Sequence, residues 1–145
     1  MCALADSIAE NQIRVLVVDD EPLVRNLLRT LLEKQRKYHV LTATSGEEAL
    51  RLSRQSADSI DVLITDLDVG KMNGIQLYTQ LAKERPGMAV LFVSADADVF
   101  RESYPNWPFL KKPFVPKDFV TMLQEITRLS SNRQTAIGGS HPSAN

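Results

Sequence analysis

Several apolar runs in this chain end on a side chain that can do chemistry. Asp19 and Asp20 follow one run, Asp66 follows another, Ser94 ends a third, and Lys112 follows a fourth. In open α/β sheets the carboxyl ends of parallel strands meet at one edge, and such folds bind their ligands there. If these runs are parallel strands, the five side chains share that edge.

The chemistry of this set is that of phosphoryl transfer. Carboxylates that converge repel one another unless a cation lies between them, and oxygen ligands without cysteine or histidine suit a hard ion such as Mg²⁺. Lys112 adds a positive charge and Ser94 adds a hydroxyl donor. Such a site works by positioning and charge neutralisation, so the residues predict that Asp66 receives a phosphoryl group.

An alternation of strands and helices places these residues. Strands are predicted at 13–18, 38–43, 61–66, 88–93 and 107–110, each followed by a helix, of which the one within 96–106 is short because Pro105 interrupts it. The alternation predicts the α/β class, a three-layer, doubly wound (βα)5 sandwich around a parallel five-stranded sheet. Right-handed crossovers favour the flavodoxin-like strand order 2-1-3-4-5. The predicted domain covers residues 12–130, between a flexible N-terminus at 1–11 and a disordered C-terminal tail at 131–145.

The first two helices have the clearest sequence signals. Pro22 suits the first turn of a helix, where its missing N–H has no intrahelical partner to lose. The adjacent apolar pairs that follow predict one buried stripe; they are Leu23/Val24, Leu27/Leu28 and Leu31/Leu32. Ser45 and Glu48 have the spacing of a capping box, which predicts the start of the second helix.

Composition excludes several classes of function. The 145 residues carry a net charge of −1 without a basic cluster, which argues against a nucleic-acid surface. No apolar run approaches the roughly 20 residues that span a bilayer, so no membrane partner is expected. The single cysteine, Cys2, fits a reducing cytoplasm. His39 and His141 are too few and too scattered for a zinc site or a Ser-His-Asp triad.

Asp19-Asp20, Asp66, Ser94-Ala95 and Lys112-Pro113, each after an apolar strand, together resemble the receiver domain of two-component response regulators. The resemblance covers about residues 12–130. It implies that Asp66 takes a phosphoryl group from a phosphohistidine on a histidine kinase or phosphotransfer protein, and that the chain signals rather than turning over a substrate. The implied ligands of Mg²⁺, or Mn²⁺, are Asp19, Asp20, Asp66 and the backbone carbonyl of Asp68.

The resemblance also implies a conformational switch. Ser94 and Lys112 would contact the phosphoryl oxygens, and Ser94 with its loop would move toward them while Phe109, at the aromatic switch position, turns inward. The Lys112–Pro113 peptide bond is a candidate for the cis form. The output partner is unknown, and a homodimer formed on phosphorylation is compatible with the family.

Three features depart from the family pattern. Val69-Gly70 stands where a Met-Pro pair is usual, which keeps the bend but makes it less rigid. Asp68 and Asp96 occupy positions that tune dephosphorylation in the family, and we expect both to modulate the lifetime of the phosphoryl group. Residues 96–106 are shorter than the usual fourth helix and its loops, which weakens any transfer of the family's output surface to this segment.

Two alternatives compete with the phosphoacceptor hypothesis. Asp66-Leu67-Asp68-Val69 also resembles the signature of haloacid-dehalogenase-type phosphatases, with Asp66 as nucleophile and Asp68 as general acid/base. That signature normally follows the first strand of a larger domain, whereas two βα units precede it here. The other alternative is a pseudo-receiver, a binding module that accepts no phosphate. No helix-turn-helix pattern follows residue 130, so direct DNA binding is not expected, and a stand-alone relay and a piece of a hybrid kinase or larger regulator both stay open.

Overall fold

The computed structural model describes residues 12–96 and 98–135. Five strands form one parallel sheet: β1 (Ile13–Val18), β2 (Tyr38–Ala43), β3 (Val62–Thr65), β4 (Ala89–Ser94) and β5 (Phe109–Lys111). The helices are α1 (Pro22–Glu33), α2 (Gly46–Gln55), α3 (Gly74–Glu84), α4 (Asp98–Ser103) and α5 (Pro116–Thr135). The sheet order is β2-β1-β3-β4-β5, which confirms the predicted doubly wound α/β fold.

Alternation along the strands divides the core into two layers of side chains. Val15 and Val17 of β1 belong to one apolar cluster with Leu28 of α1 and Leu123 of α5. The next residues along the same strand, such as Leu16, belong to a second cluster that includes side chains of α2, α3 and α4. Because successive residues of a strand point to opposite faces, α1 and α5 cover one face of the sheet and the other three helices cover the opposite face.

Six aromatic rings fill the second layer around α4; they are Tyr78, Phe92, Phe100, Tyr104, Trp107 and Phe109. The Trp107 ring stacks on Phe92 with centroids 5.5 Å apart and an interplanar angle of 11°. Phe100 bridges the cluster, 4.9 Å from Phe92 and 5.0 Å from Phe109. Helix α4 is short, as the position of Pro105 predicts. The aromatic contacts of Phe100 therefore hold it against the sheet.

Helix α1 buries a narrower stripe than predicted. Leu28, Leu31 and Leu32 are buried, but Leu23 is 85% exposed and Leu27 is 40% exposed. A helix turns 100° per residue, so one member of an adjacent pair can turn away from the sheet, as Leu23 and Leu27 do. The prediction that all three pairs form one buried stripe is wrong for Leu23 and Leu27.

Two further boundaries differ from the predictions by two residues or more. The last strand begins at Phe109 rather than at Trp107, because Pro108 has no N–H and joins the ladder only through its carbonyl, which accepts from the Phe92 amide. Helix α5 continues through Thr135, so residues 131–135 are helical rather than part of the predicted tail. The predicted flexible start at 1–11 and the rest of the tail at 136–145 lie outside the described residues.

The segment after β3 forms a small hairpin that the sequence did not predict. Asp68–Val69 pairs antiparallel with Met72–Asn73, and Gly70 in the turn has φ +94°, a conformation that favours glycine. Asn73 then caps α3, where its side chain accepts a hydrogen bond from the Gln76 amide. The hairpin and the cap together carry the chain from Asp66 into α3. Within the described part of the chain, no helix combines the length and apolar character needed to cross a membrane.

Candidate functional site

Backbone hydrogen bonds align the predicted site residues at the carboxyl edge of the sheet. Val18 pairs with Thr65 in register, and the Asp66 amide donates to the Val18 carbonyl at 3.1 Å, so Asp19 and Asp66 follow neighbouring strands directly. On the other side, the Lys112 amide donates to the Ser94 carbonyl at 2.9 Å. The parallel sheet therefore brings the acids, the hydroxyl and the lysine to one edge.

Lys112 is the centre of the site. Its Nζ donates to Asp19 Oδ2 at 2.8 Å, to Asp66 Oδ2 at 2.8 Å and to Glu21 Oε1 at 3.0 Å. Burial disfavours the charged ammonium, but the hydrogen bonds to these three carboxylates outweigh it and raise the pKa of Lys112 above its ordinary value of 10.5. The lysine is therefore held in its charged form. The Lys112–Pro113 peptide bond is cis, as predicted.

Asp19 is the most buried acid of the site, with 1% of its side chain exposed. Its Oδ1 accepts from the Glu21 amide at 2.9 Å, and its carbonyl accepts from Arg25 Nη1 at 2.8 Å. Burial raises the pKa of the Asp19 carboxyl above 3.8, although the Lys112 ammonium and the Glu21 amide act in the opposite direction. A cation at this point favours the ionised carboxylate.

Asp66 is held from two sides. One carboxylate oxygen accepts from Lys112 and the other accepts from the Asp68 amide at 3.3 Å. The Asp66 carbonyl accepts from the Thr65 hydroxyl at 2.8 Å. Gly74 lies so close to this carbonyl that a Cβ on Gly74 would overlap its oxygen. The backbone on either side of the carboxylate is therefore packed in place.

The acids form a cluster with the chemistry of a hard-cation site. Asp19, Asp20, Glu21 and Asp66 each offer a carboxylate oxygen, and these four oxygens lie within 4.8 Å of one another. Oxygens on opposite sides of a Mg²⁺ ion are about 4.2 Å apart, so the spacing fits. The buried and incompletely neutralised Asp19 supports the same conclusion. The cluster includes three of the predicted ligands; the fourth, the backbone carbonyl of Asp68, belongs to the hairpin beside Asp66.

The two predicted switch residues lie outside this cluster. Ser94 ends β4 with 3% of its surface exposed, and its Oγ accepts from the amide of Asp96 at 3.3 Å. Phe109 is 8% exposed in the aromatic cluster, with the Arg101 guanidinium 5.5 Å from its ring centre. Asp68 and Asp96 are both exposed at the rim.

Sequence reasoning gave no role to two residues that the structure places at the site. Glu21 follows Asp19 and Asp20 directly in the sequence, but its contact with Lys112 arises only because β5 brings Lys112 to the same edge of the sheet. Gly74 lies at the start of α3, where a glycine is an unfavourable helix former; that mismatch between residue and helix was the available signal.

Comparisons with known proteins agree with this geometry. The response regulator receiver domain family matches residues 15–124. The sensor kinase CckA of Brucella abortus is 35% identical over 117 residues, 77% of this chain and 12% of that protein. The two-component response regulator ARR11 of Arabidopsis thaliana is 32% identical over 80% of this chain and 23% of its own length. The alkaline phosphatase synthesis transcriptional regulatory protein PhoP of Bacillus subtilis is 30% identical over 81% of this chain and 49% of its own length. The chain thus spans less than half of each of these relatives.

Solved structures lead to the same family. The receiver domain of the hybrid histidine kinase CckA is 31% identical, with a TM-score of 0.66 over 79% of this chain and 98% of that one. A response regulator receiver domain protein from Clostridium thermocellum is 29% identical, with a TM-score of 0.68 over 86% of this chain and 98% of that one. These similarities do not favour the phosphatase or pseudo-receiver alternatives. The chain belongs to the response regulator receiver domain family and is a phosphorelay signalling domain.

Proposed function

We propose that Asp66 accepts a phosphoryl group from a phosphohistidine on a histidine kinase or phosphotransfer protein, in a reaction that depends on Mg²⁺ or Mn²⁺. The supporting observation is the Asp66 carboxylate, which is held between the Lys112 ammonium and the Asp68 amide beside two further acids. An Asp66 oxygen forms the new bond to phosphorus while the bond from phosphorus to the histidine nitrogen breaks, and that nitrogen keeps the electron pair. Lys112 neutralises charge on the transferred oxygens.

The charge balance explains why a divalent cation belongs to this proposal. Four carboxylates and one ammonium leave three formal negative charges, which would repel an incoming phosphoryl group. Asp19, Asp20, Asp66 and the Asp68 carbonyl would hold the ion. When bound, the ion supplies charge neutralisation for the acids and for the phosphoryl oxygens. Without the ion, Lys112 neutralises one of the four carboxylates.

The switch that we propose joins Ser94 to Phe109. A phosphoryl group adds about −1.5 to −2 charge units at Asp66 and attracts the Ser94 hydroxyl and its loop. The Phe109 ring already lies inward, against Phe100 and under Arg101, so the predicted inward turn is not needed from this conformation. Phosphorylation would instead stabilise the inward position, by its differential contacts in the two states.

Exposed apolar side chains close in sequence to site residues support a protein as the phosphodonor. Leu23 is 85% exposed two residues after Glu21, Leu27 lies one helical turn further on, and Val115 is 55% exposed three residues after Lys112. Exposed aliphatic groups that flank a charged site are typical of protein interfaces. We propose that the kinase or phosphotransfer protein packs on these side chains. Three statements stay predictions: a cytoplasmic location, homodimerisation on phosphorylation and the absence of a nucleic-acid partner. The output partner is unknown.

Mass spectrometry after incubation with phosphoramidate and Mg²⁺ tests the proposal. We expect one added phosphoryl group in the wild type, none in Asp66→Asn, and an unchanged yield in Asp58→Asn, which removes an exposed acid away from the site. Omission of the divalent ion should strongly reduce labelling. Labelling that survives in Asp66→Asn, or an absence of labelling in the wild type, would contradict the proposal. Repeated turnover of a phosphate ester would instead support the phosphatase alternative.

The lifetime of the phosphoryl group should depend on the acids at the rim. Asp68 and Asp96 are exposed and each has its amide hydrogen-bonded to the side chain of a site residue, Asp66 or Ser94. We expect Asp68→Asn and Asp96→Ala to change the rate of acyl-phosphate loss by about 2- to 10-fold, because each alters water access and charge beside the phosphorus. Decay of the labelled fraction, followed by mass spectrometry, measures this; rates equal to wild type would remove both residues from the proposal.

A further inference from the structure

The ammonium of Lys112 has no hydrogen-bonding capacity left in this structure. A lysine offers three N–H donors, and three carboxylates accept from Lys112: Asp19, Asp66 and Glu21. A phosphoryl oxygen that pairs with this lysine must therefore take the place of one of them.

The three partners differ in how easily they leave. Asp19 is 1% exposed and its second oxygen accepts from a backbone amide, while Asp66 is 10% exposed and is itself the proposed phosphoryl acceptor. The Glu21 side chain is 60% exposed and its contact is the longest of the three, at 3.0 Å. Water can solvate Glu21 when it leaves, whereas releasing Asp19 would leave a buried charge unpaired. Asp66 keeps one oxygen on Lys112 if the phosphoryl group bonds to the other oxygen, which accepts from the Asp68 amide.

Glu21 does not use its side chain to cap α1. It is the N-cap residue, a position where Ser, Thr, Asp or Asn ordinarily accepts from an amide of the first turn, and the Glu21 side chain makes no such bond. The carboxylate reaches Lys112 instead. Pro22 follows at once and has no N–H, which removes one of the free amides of the first turn.

We propose that Glu21 is a positioning residue that holds the place of a phosphoryl oxygen on Lys112 in the resting state. The carboxylate keeps the ammonium oriented and saturated, and it moves into solvent when the phosphoryl group arrives. Because this contact is lost on phosphorylation, it opposes phosphorylation. The inference rests on the proposed function of Asp66. It adds that the Glu21 carboxylate competes with the phosphoryl group for Lys112.

The affinity for beryllium trifluoride, an anion that stands in for the phosphoryl group, tests this role at saturating Mg²⁺. We expect Glu21→Ala to bind it about two- to fivefold more tightly than wild type, with Glu21→Gln between them, because the lost ion pair is partly exposed. Glu33→Ala is the matched control, since it removes an exposed acid from the far end of the same helix. It should leave the affinity unchanged.

A second measurement needs no metal. In the metal-free protein, nitrogen-15 NMR of the lysine ammonium groups should show faster proton exchange at Lys112 in Glu21→Ala than in wild type. Unchanged exchange, unchanged anion affinity, or a weaker affinity for Mg²⁺ alone in Glu21→Ala would each overturn the proposal, the last because it would make Glu21 a metal ligand. If wild type binds no beryllium trifluoride, the proposed function fails, and the metal-free measurement still tests the Glu21 contact.

Discussion

Lys112→Met is expected to lower the free energy of unfolding of the metal-free protein by about 3 kcal/mol at neutral pH. The lysine side chain is 11% exposed and is the described partner of two buried acids, Asp19 and Asp66. Methionine keeps much of the volume, so the loss reports the missing charge rather than a cavity. Urea denaturation measures it.

The pH dependence of this loss follows from Asp19. Burial already raises the pKa of this carboxyl, and removal of Lys112 raises it further, so the folded variant binds a proton more tightly than the unfolded chain does. The variant should therefore gain stability relative to wild type as the pH falls from neutral toward the pKa of Asp19. Mg²⁺ should also recover part of the loss.

Lys111→Met is the matched control for this prediction. Lys111 is the exposed neighbour of Lys112, so its replacement removes the same charge from the adjacent position without touching the acids. We expect nearly wild-type stability. Equal losses in the two variants would mean that the three-way contact of Lys112 contributes nothing.

Gly74→Ala is expected to destabilise the protein by about 2 kcal/mol or more, although helix propensity alone predicts a gain of about 1 kcal/mol. A Cβ at Gly74 would overlap the Asp66 carbonyl oxygen and lie 3.2 Å from the Asp66 carbonyl carbon and the Leu67 Cα. Backbone atoms cannot rotate away as a side chain can. Calorimetric unfolding should therefore show a lower Tm, and labelling of Asp66 should fall with it because the acceptor is displaced.

Gly46 offers the matched substitution, because it also begins a helix. A Cβ there would meet the side chain of Met72, which is flexible and half-buried at the hairpin. We expect Gly46→Ala to cost much less than Gly74→Ala and to leave labelling intact. A stabilising Gly74→Ala would show that the helix start can shift away from Asp66.

The arrangement of strands and site residues is predictable from the sequence because the chemically active side chains stand at the ends of the strands. The runs before Asp19 and Asp66 are apolar and rich in β-branched residues, and the run before Lys112 is apolar and aromatic. In a parallel sheet the ends of these strands meet at one edge. Which side chains touch was less predictable. The contact between Glu21 and Lys112 joins residues 91 positions apart, and no local pattern indicates it.

Leu23 and Leu27 of α1 show a second limit on what an apolar pattern can predict. An apolar pair repeated every four residues marks a helix and roughly locates its inner face, but not how wide a surface the sheet can cover. Leu23 and Leu27 lie beyond that width. The short hairpin is not predictable from sequence for a related reason, since its two-residue strands show too little periodicity.

Trp107 is the single tryptophan of the chain, and its position makes it a built-in optical reporter. Its indole stacks on Phe92, and Phe100 connects that stack to Phe109. A rearrangement of the Phe109 ring should therefore alter the emission of the indole. We therefore expect that phosphorylation of this domain can be followed by intrinsic fluorescence in real time, without a label or an added output protein.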